Sequence, residues 1–275
     1  MNICSGRWLI TKKCGQQMRK QVLQFKDVTF HYSSKDNTSL DSILEGISFG
    51  VDDGEFVSII GASGSGKSTI FRLITGLEQP VNGDILLNGK KMKDRLGKVG
   101  YMPQQDLLMP WRTVMDNAVL PLEIKGMKKE EAKSHVRKLL DDFGLKGVEN
   151  ALPSELSGGM RQRVSFLRTI LSGSNILLLD EPFSALDAIT RLTMQEWLLD
   201  QWKKWKKTIL FITHDVDEAL FLSDRIFVIK QKPNTFIQEV KVPLGRPRSV
   251  RDLSQMDIVE LKEQLIEKLR SRVET

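Results

Sequence analysis

A chain of 275 residues, 40% hydrophobic and 28% charged, has the makeup of a globular protein with room for one large domain and a short appendage. The formal charge of +6 does not signal a nucleic-acid-binding face: Arg7, Lys12, Lys13, Arg19 and Lys20 supply five of the six in a stretch without acids, leaving the rest at +1. Cys4 and Cys14 share that stretch at a spacing that fits no metal or redox motif, and no run approaches the roughly 20 apolar residues that cross a bilayer.

Residues 1–21 read as a basic extension, an unstructured lead-in or an early start ahead of Met18; a weak membrane-surface anchor is the other reading. Trp8-Leu9-Ile10 is too short for a signal-peptide core. From Val22 the pattern is β-like, over 22–25, 28–32 and 43–51, with Asp52-Asp53-Gly54 read as a hairpin turn. Phe56 to Ile60 is a continuous apolar run, as expected of a strand buried on both faces of a parallel sheet. A glycine-rich loop follows, then a helix from Ser68 to Thr75 closed by Gly76. Strands are expected at 84–87 and 99–102.

Between Thr113 and Ser172 the pattern turns helical, with helices over 130–143 and 160–171. Two buried strands are expected at 176–180 and 209–213. The helix between them carries Met194, Trp197, Leu198, Trp202 and Trp205 at intervals of three and four, which marks them as packing residues. Past Pro243 a Pro/Arg-rich link leads to a terminal helix over 256–272. The expected organisation is the extension (1–21), one large domain (22–245, helical subdomain about 113–172) and a helical tail (246–275).

Gly61-Ala62-Ser63-Gly64-Ser65-Gly66-Lys67-Ser68, between strand and helix and followed by Thr69, satisfies the P-loop pattern. Its glycines let successive N–H groups turn inward around phosphate oxygens at the positive end of a helix dipole. Lys67 reaches the β- and γ-phosphates of ATP, and the Ser68 hydroxyl is a ligand for Mg²⁺. Asp180 ends an apolar strand, where open α/β sheets bind ligands, and an ionised carboxylate there needs a cation, Mg²⁺, to serve. Glu181, one residue on, is positioned to orient or deprotonate water. Ser157-Gly158-Gly159 is a second anion-binding helix start, and two such devices in one chain suggest that one serves a neighbour's nucleotide.

Leu156-Ser157-Gly158-Gly159-Met160-Arg161-Gln162-Arg163, upstream of the 176–180 strand in a P-loop protein, resembles the signature of the ABC ATPases. The resemblance spans about residues 22–245 and implies an α/β fold, a P-loop NTPase core with an antiparallel β subdomain and an inserted helical subdomain. It makes Gln104, six residues before Pro110-Trp111, the Q-loop glutamine that links γ-phosphate and Mg²⁺ to the transmembrane partner, with Gln105 as the rival. Ser184-Ala185-Leu186-Asp187 resembles the D-loop, His214 the switch histidine, and Tyr32 the aromatic that stacks on adenine, core packing being the alternative for Tyr32. The implied machine is a head-to-tail dimer with two MgATP, bound at the cytoplasmic face of the membrane to permease subunits. Met160, Met109-Pro110-Trp111 and Pro247-Arg248 are similar to the nitrate/sulfonate/taurine importers, whose relatives handle thiamine-precursor pyrimidines, and imply an extracytoplasmic solute-binding protein. A soluble or exporter-associated ABC ATPase is the alternative.

Overall fold

The computed structural model describes residues 20–32, 43–230 and 236–270, so the expectations for residues 1–19 lie outside the described residues. In chain order the strands are β1 (Gln21–Phe30), β2 (Leu44–Asp52), β3 (Phe56–Gly61), β4 (Asn82–Leu87), β5 (Lys90–Lys91), β6 (Gly100–Met102), β7 (Ile176–Asp180), β8 (Thr208–Ile212), β9 (Arg225–Lys230) and β10 (Phe236–Lys241). The helices are α1 (Lys67–Thr75), α2 (Val114–Ala118), α3 (Leu120–Ile124), α4 (Lys129–Arg137), α5 (Gly158–Leu171), α6 (Ala188–Trp205), α7 (Val216–Leu222) and α8 (Met256–Arg270).

The first sheet is antiparallel, ordered β2-β1-β4-β5. The two β-like runs at 22–25 and 28–32 form one strand, β1, with a bulge at Asp27, whose φ is 51°. The extra residue shifts the inward phase from Leu23 and Phe25 to Val28 and Phe30, so a period-two reading breaks there while the strand continues. The expected hairpin at Asp52-Asp53-Gly54 does not form. β2 pairs with β1, whereas β3 starts the second sheet between β8 and β9. Every residue of β3 is buried, which an edge strand hairpinned to β2 would not allow.

The second sheet is ordered β10-β9-β3-β8-β7-β6 and is parallel except for β10, which runs antiparallel to β9. Sequence reading assigned no strand to 225–241, although Ile226 to Ile229 is a buried apolar run that carries the signal. One core lies between the two sheets and α1, built on Phe25, Ile59, Ile70 and Phe71. The other lies between the parallel sheet and the helices, built on Phe166, Leu167, Leu177 and Phe211. Glu55 and Arg225 join the sheets: the guanidinium donates to both carboxylate oxygens, at 2.5 and 2.8 Å, and to Gly50 O at 2.7 Å.

The helix expected over 130–143 ends at Arg137. Leu140 and Phe143 are buried, but in turns that bring the Phe143 ring to Phe166 (6.1 Å) and Trp197 (5.5 Å). Tertiary packing outweighs helix propensity there. The tryptophans of α6 pack as expected: Trp197 carries Arg163 over its ring at 5.3 Å, and Trp202 meets Phe56 and Arg246 at 5.8 and 4.4 Å. Beyond β10, the Arg248 side chain is 1% exposed and donates to the carbonyls of Leu220, Phe221, Ser223, Leu244 and Gly245, closing the C-terminal end of α7. α8 packs beside α7, and Lys262 meets Asp217 at 2.7 Å.

Candidate active site

Four adjacent parallel strands, β3, β8, β7 and β6, deliver their C-terminal ends to one edge of the sheet. The chain leaving them carries the glycine-rich loop after β3, His214 after β8, Asp180 and Glu181 at the end of β7, and Gln104 after β6. A cleft of about 590 Å³ opens there, lined by residues 63–69 with Ile43, Gln104, Glu181 and His214.

The loop's shape follows from its glycines. Gly64 and Gly66 have φ of 75° and 88°, and Gly66 caps α1 in the left-handed region that side chains disfavour. A Cβ on Gly66 would also stand 3.0 Å from Ile43 Cγ2. The Lys67 ammonium donates to the carbonyls of Gly61 (2.9 Å) and Ala62 (3.0 Å), which holds it across the loop. Burial pulls its pKa down, and the charges of Glu181 and Asp180 oppose that pull. The Ser65 hydroxyl is buried without a partner.

Asp180 is buried behind Ser68. Burial and the neighbouring Glu181 charge push its pKa up, against hydrogen bonds from Ser68 and Tyr101 and the charge of Lys67. Tyr101 donates at 3.4 Å, and burial beside Asp180 pushes its phenol up to about 12. A buried carboxylate paired with a hydroxyl is a hard-oxygen donor set, the chemistry that suits Mg²⁺ when phosphate oxygens complete the shell. These residues therefore fit the ion. Glu181 has φ 43°, an uncommon conformation for a residue with a side chain. Its Oε2 lies 3.4 Å from Gln104 Nε2 and 3.2 Å from His214 Nδ1.

Ser157, Gly158, Gly159, Asp187 and Tyr32 are not among the residues that line this cleft. Ser157 caps α5, its hydroxyl accepting from Met160 N at 3.3 Å, with Gly158 and Gly159 in the first turn. Asp187 caps α6, accepting from Ile189 N (3.2 Å) and Thr190 N (3.0 Å). Tyr32 is 44% exposed, edge-on to Phe30, and is not part of the cleft lining. Sequence reasoning missed Ile43, Tyr101, Thr213 and Glu218. The signal for Glu218 was an acid at a position of α7 otherwise filled by apolar side chains.

A phosphate-gripping loop at the carboxyl edge of a parallel sheet, with an acid, an amide and an imidazole facing it, defines a P-loop nucleotide hydrolase. The ABC transporter family model matches residues 44–184. The formylaminopyrimidine import ATP-binding protein ThiZ of Halalkalibacterium halodurans is 47% identical over 87% of this chain and 92% of its own length. An aliphatic sulfonates import ATP-binding protein, SsuB of Bacillus cereus, is 39% identical over 86% and 92%. Among solved structures, the dimeric ATP-binding cassette MJ0796, in a post-hydrolysis state bound to ADP and Pi, is 31% identical with a TM-score of 0.70, covering 81% of this chain and all of that one. The chain belongs to the ABC transporter family, as an ATP-binding ATPase coupled to transport. Among the described residues, no helix is long and apolar enough to cross a membrane.

Proposed function

We propose that this ATPase energises an importer, taking up a small solute of the formylaminopyrimidine, sulfonate, taurine or nitrate kind through a separate permease at the cytoplasmic face of the membrane. The names of its relatives support import, and the solute class rests on them together with Met160, Met109-Pro110-Trp111 and Pro247-Arg248. An extracytoplasmic binding protein delivers the solute. Two chains meet head to tail, each nucleotide lying between residues 61–69 of one and Ser157, Gly158 and Gly159 of the other, with Asp187 at the interface and Tyr32 against adenine. That Ser157, Gly158 and Gly159 are not among the residues lining the cleft of their own chain, and that a cassette relative is dimeric, support this arrangement.

The single observation that carries the chemistry is the meeting of Glu181, Gln104 and His214 opposite Lys67 in one cleft. Backbone N–H groups of the loop and Lys67 grip the phosphates. Glu181 orients the attacking water and accepts its proton as the γ-phosphoryl group transfers in line. His214 donates toward the γ-phosphate and, with Lys67, stabilises the charge that builds on it. Ser68, Asp180 and Gln104 would hold Mg²⁺, which when bound would supply the positive charge that neutralises the phosphate oxygens.

Reconstitution with the permease and its binding protein in vesicles tests the importer reading. ATP-dependent accumulation of a formylaminopyrimidine or an alkanesulfonate inside vesicles carrying ATP on the ATPase side supports it. Solute movement in the outward direction, or hydrolysis indifferent to the permease, contradicts it.

A further inference from the structure

We propose that Glu218 is a positioning residue for His214, acting through the hydroxyl of Thr213. This rests on the role given to His214 above. Glu218 sits in the first turn of α7 and is 6% exposed, beside Ala219, Leu220, Phe221 and Leu222, all buried. Burying a carboxylate there is costly unless donors satisfy it. Two do: Gln195 Nε2 of α6 donates to Oε1 at 2.9 Å, and the Thr213 hydroxyl donates to Oε2.

The Thr213 oxygen in turn accepts the Asp215 backbone N–H at 3.0 Å. One hydroxyl therefore ties together the residues on either side of His214. Asp215 Oδ1 closes the loop by accepting from Asp217 N at 2.9 Å and Glu218 N at 3.2 Å. The His214 backbone is thus held in a ring of hydrogen bonds whose buried anchor is Glu218. Gln195 extends that anchor to α6, the helix that Asp187 caps.

Glu218 does not meet substrate. It shares with Glu181, Arg191 and His214 a cavity of only about 10 Å³, with room for one water and nothing larger. Its position behind the catalytic pair suits alignment of His214, and an apolar side chain would fill the same space without any link to Thr213.

Steady-state ATP hydrolysis by the full chain tests this. Glu218→Ala is expected to lower kcat about tenfold with the KM for ATP within about twofold, the pattern of a contact that matters in the transition state. Glu218→Gln should recover most of that loss, since its amide oxygen still accepts from Thr213 and Gln195 can turn its amide to match. In a His214→Ala background, Glu218→Ala should cost nothing further. Thr213→Val, which removes the hydroxyl at similar volume, repeats the test should Glu218→Ala fail to fold. Parent-level kcat in Glu218→Ala and Thr213→Val, or a second tenfold loss on top of His214→Ala, overturns the proposal. A His214→Ala chain with parent turnover overturns the role of His214 itself, and this proposal with it.

Discussion

Glu181 meets His214 across the ends of two neighbouring strands, Oε2 to Nδ1 at 3.2 Å. The pairing of Asp180 with Ile212 sets their register, and Glu181 N donates to Ile212 O at 3.0 Å. The Glu181 carboxylate can only accept in this contact, so Nδ1 donates here, and the bond from His214 to the γ-phosphate comes from Nε2–H of the imidazolium. The strained backbone of Glu181 and the Gln104 amide hold the acid toward the cleft.

Glu181→Gln keeps the shape of the side chain and its contacts with Gln104 but cannot take a proton. Turnover is expected to fall by about 10² to 10⁴, with nucleotide affinity within about twofold. Phosphate release and equilibrium binding of a fluorescent ATP analogue check the two halves separately. Normal hydrolysis would remove Glu181 from the role of base.

Asp180 sets function against stability. Burial and Glu181 raise its folded pKa above the ordinary carboxylate value, so the folded chain binds this proton more tightly than the unfolded one. The stabilising effect of that proton is present below the unfolded pKa and fades as pH rises through the folded one. At neutral pH the ionised group is therefore a liability, and Asp180→Asn should raise Tm while abolishing Mg²⁺-dependent hydrolysis. Thermal unfolding at pH 7 without nucleotide checks the first half; a lower Tm would contradict it.

Arg248 shows the opposite balance. Its guanidinium satisfies five main-chain carbonyls, Leu220, Phe221 and Ser223 around the end of α7 and Leu244 and Gly245 in the link after β10, although burial and the nearby Arg246 push its pKa down to about 10. Arg248→Ala strands those acceptors and should cost about 2–4 kcal/mol. Urea unfolding reads the difference, and Arg248→Lys should recover little, because an ammonium cannot reproduce the fork.

Much of this site was legible because its chemistry is written in contiguous residues. Residues 61–68 lie between a buried strand and a helix in the sequence as in the structure. Asp180, Glu181 and His214 follow apolar runs whose burial is nearly complete, so period and position agreed. What sequence did not yield depends on the third dimension. Tyr101 reaches Asp180 from a neighbouring strand, 79 positions away. Asp27 bends β1 without ending it, and Asp52-Asp53-Gly54 looks like any tight turn until the pairing of β3 is known. Glu218 was hidden among three acids over 215–218, of which it alone is buried.

The composite site is tested most directly by the mass of the Glu181→Gln chain in solution with ATP and Mg²⁺, measured by gel filtration with light scattering. The arrangement predicts a dimer with ATP that reverts to monomer with ADP, and that fails to form when Ser157→Arg is added on the same chain. A chain that stays monomeric with ATP, or a dimer indifferent to Ser157→Arg, would contradict a nucleotide site built from two chains.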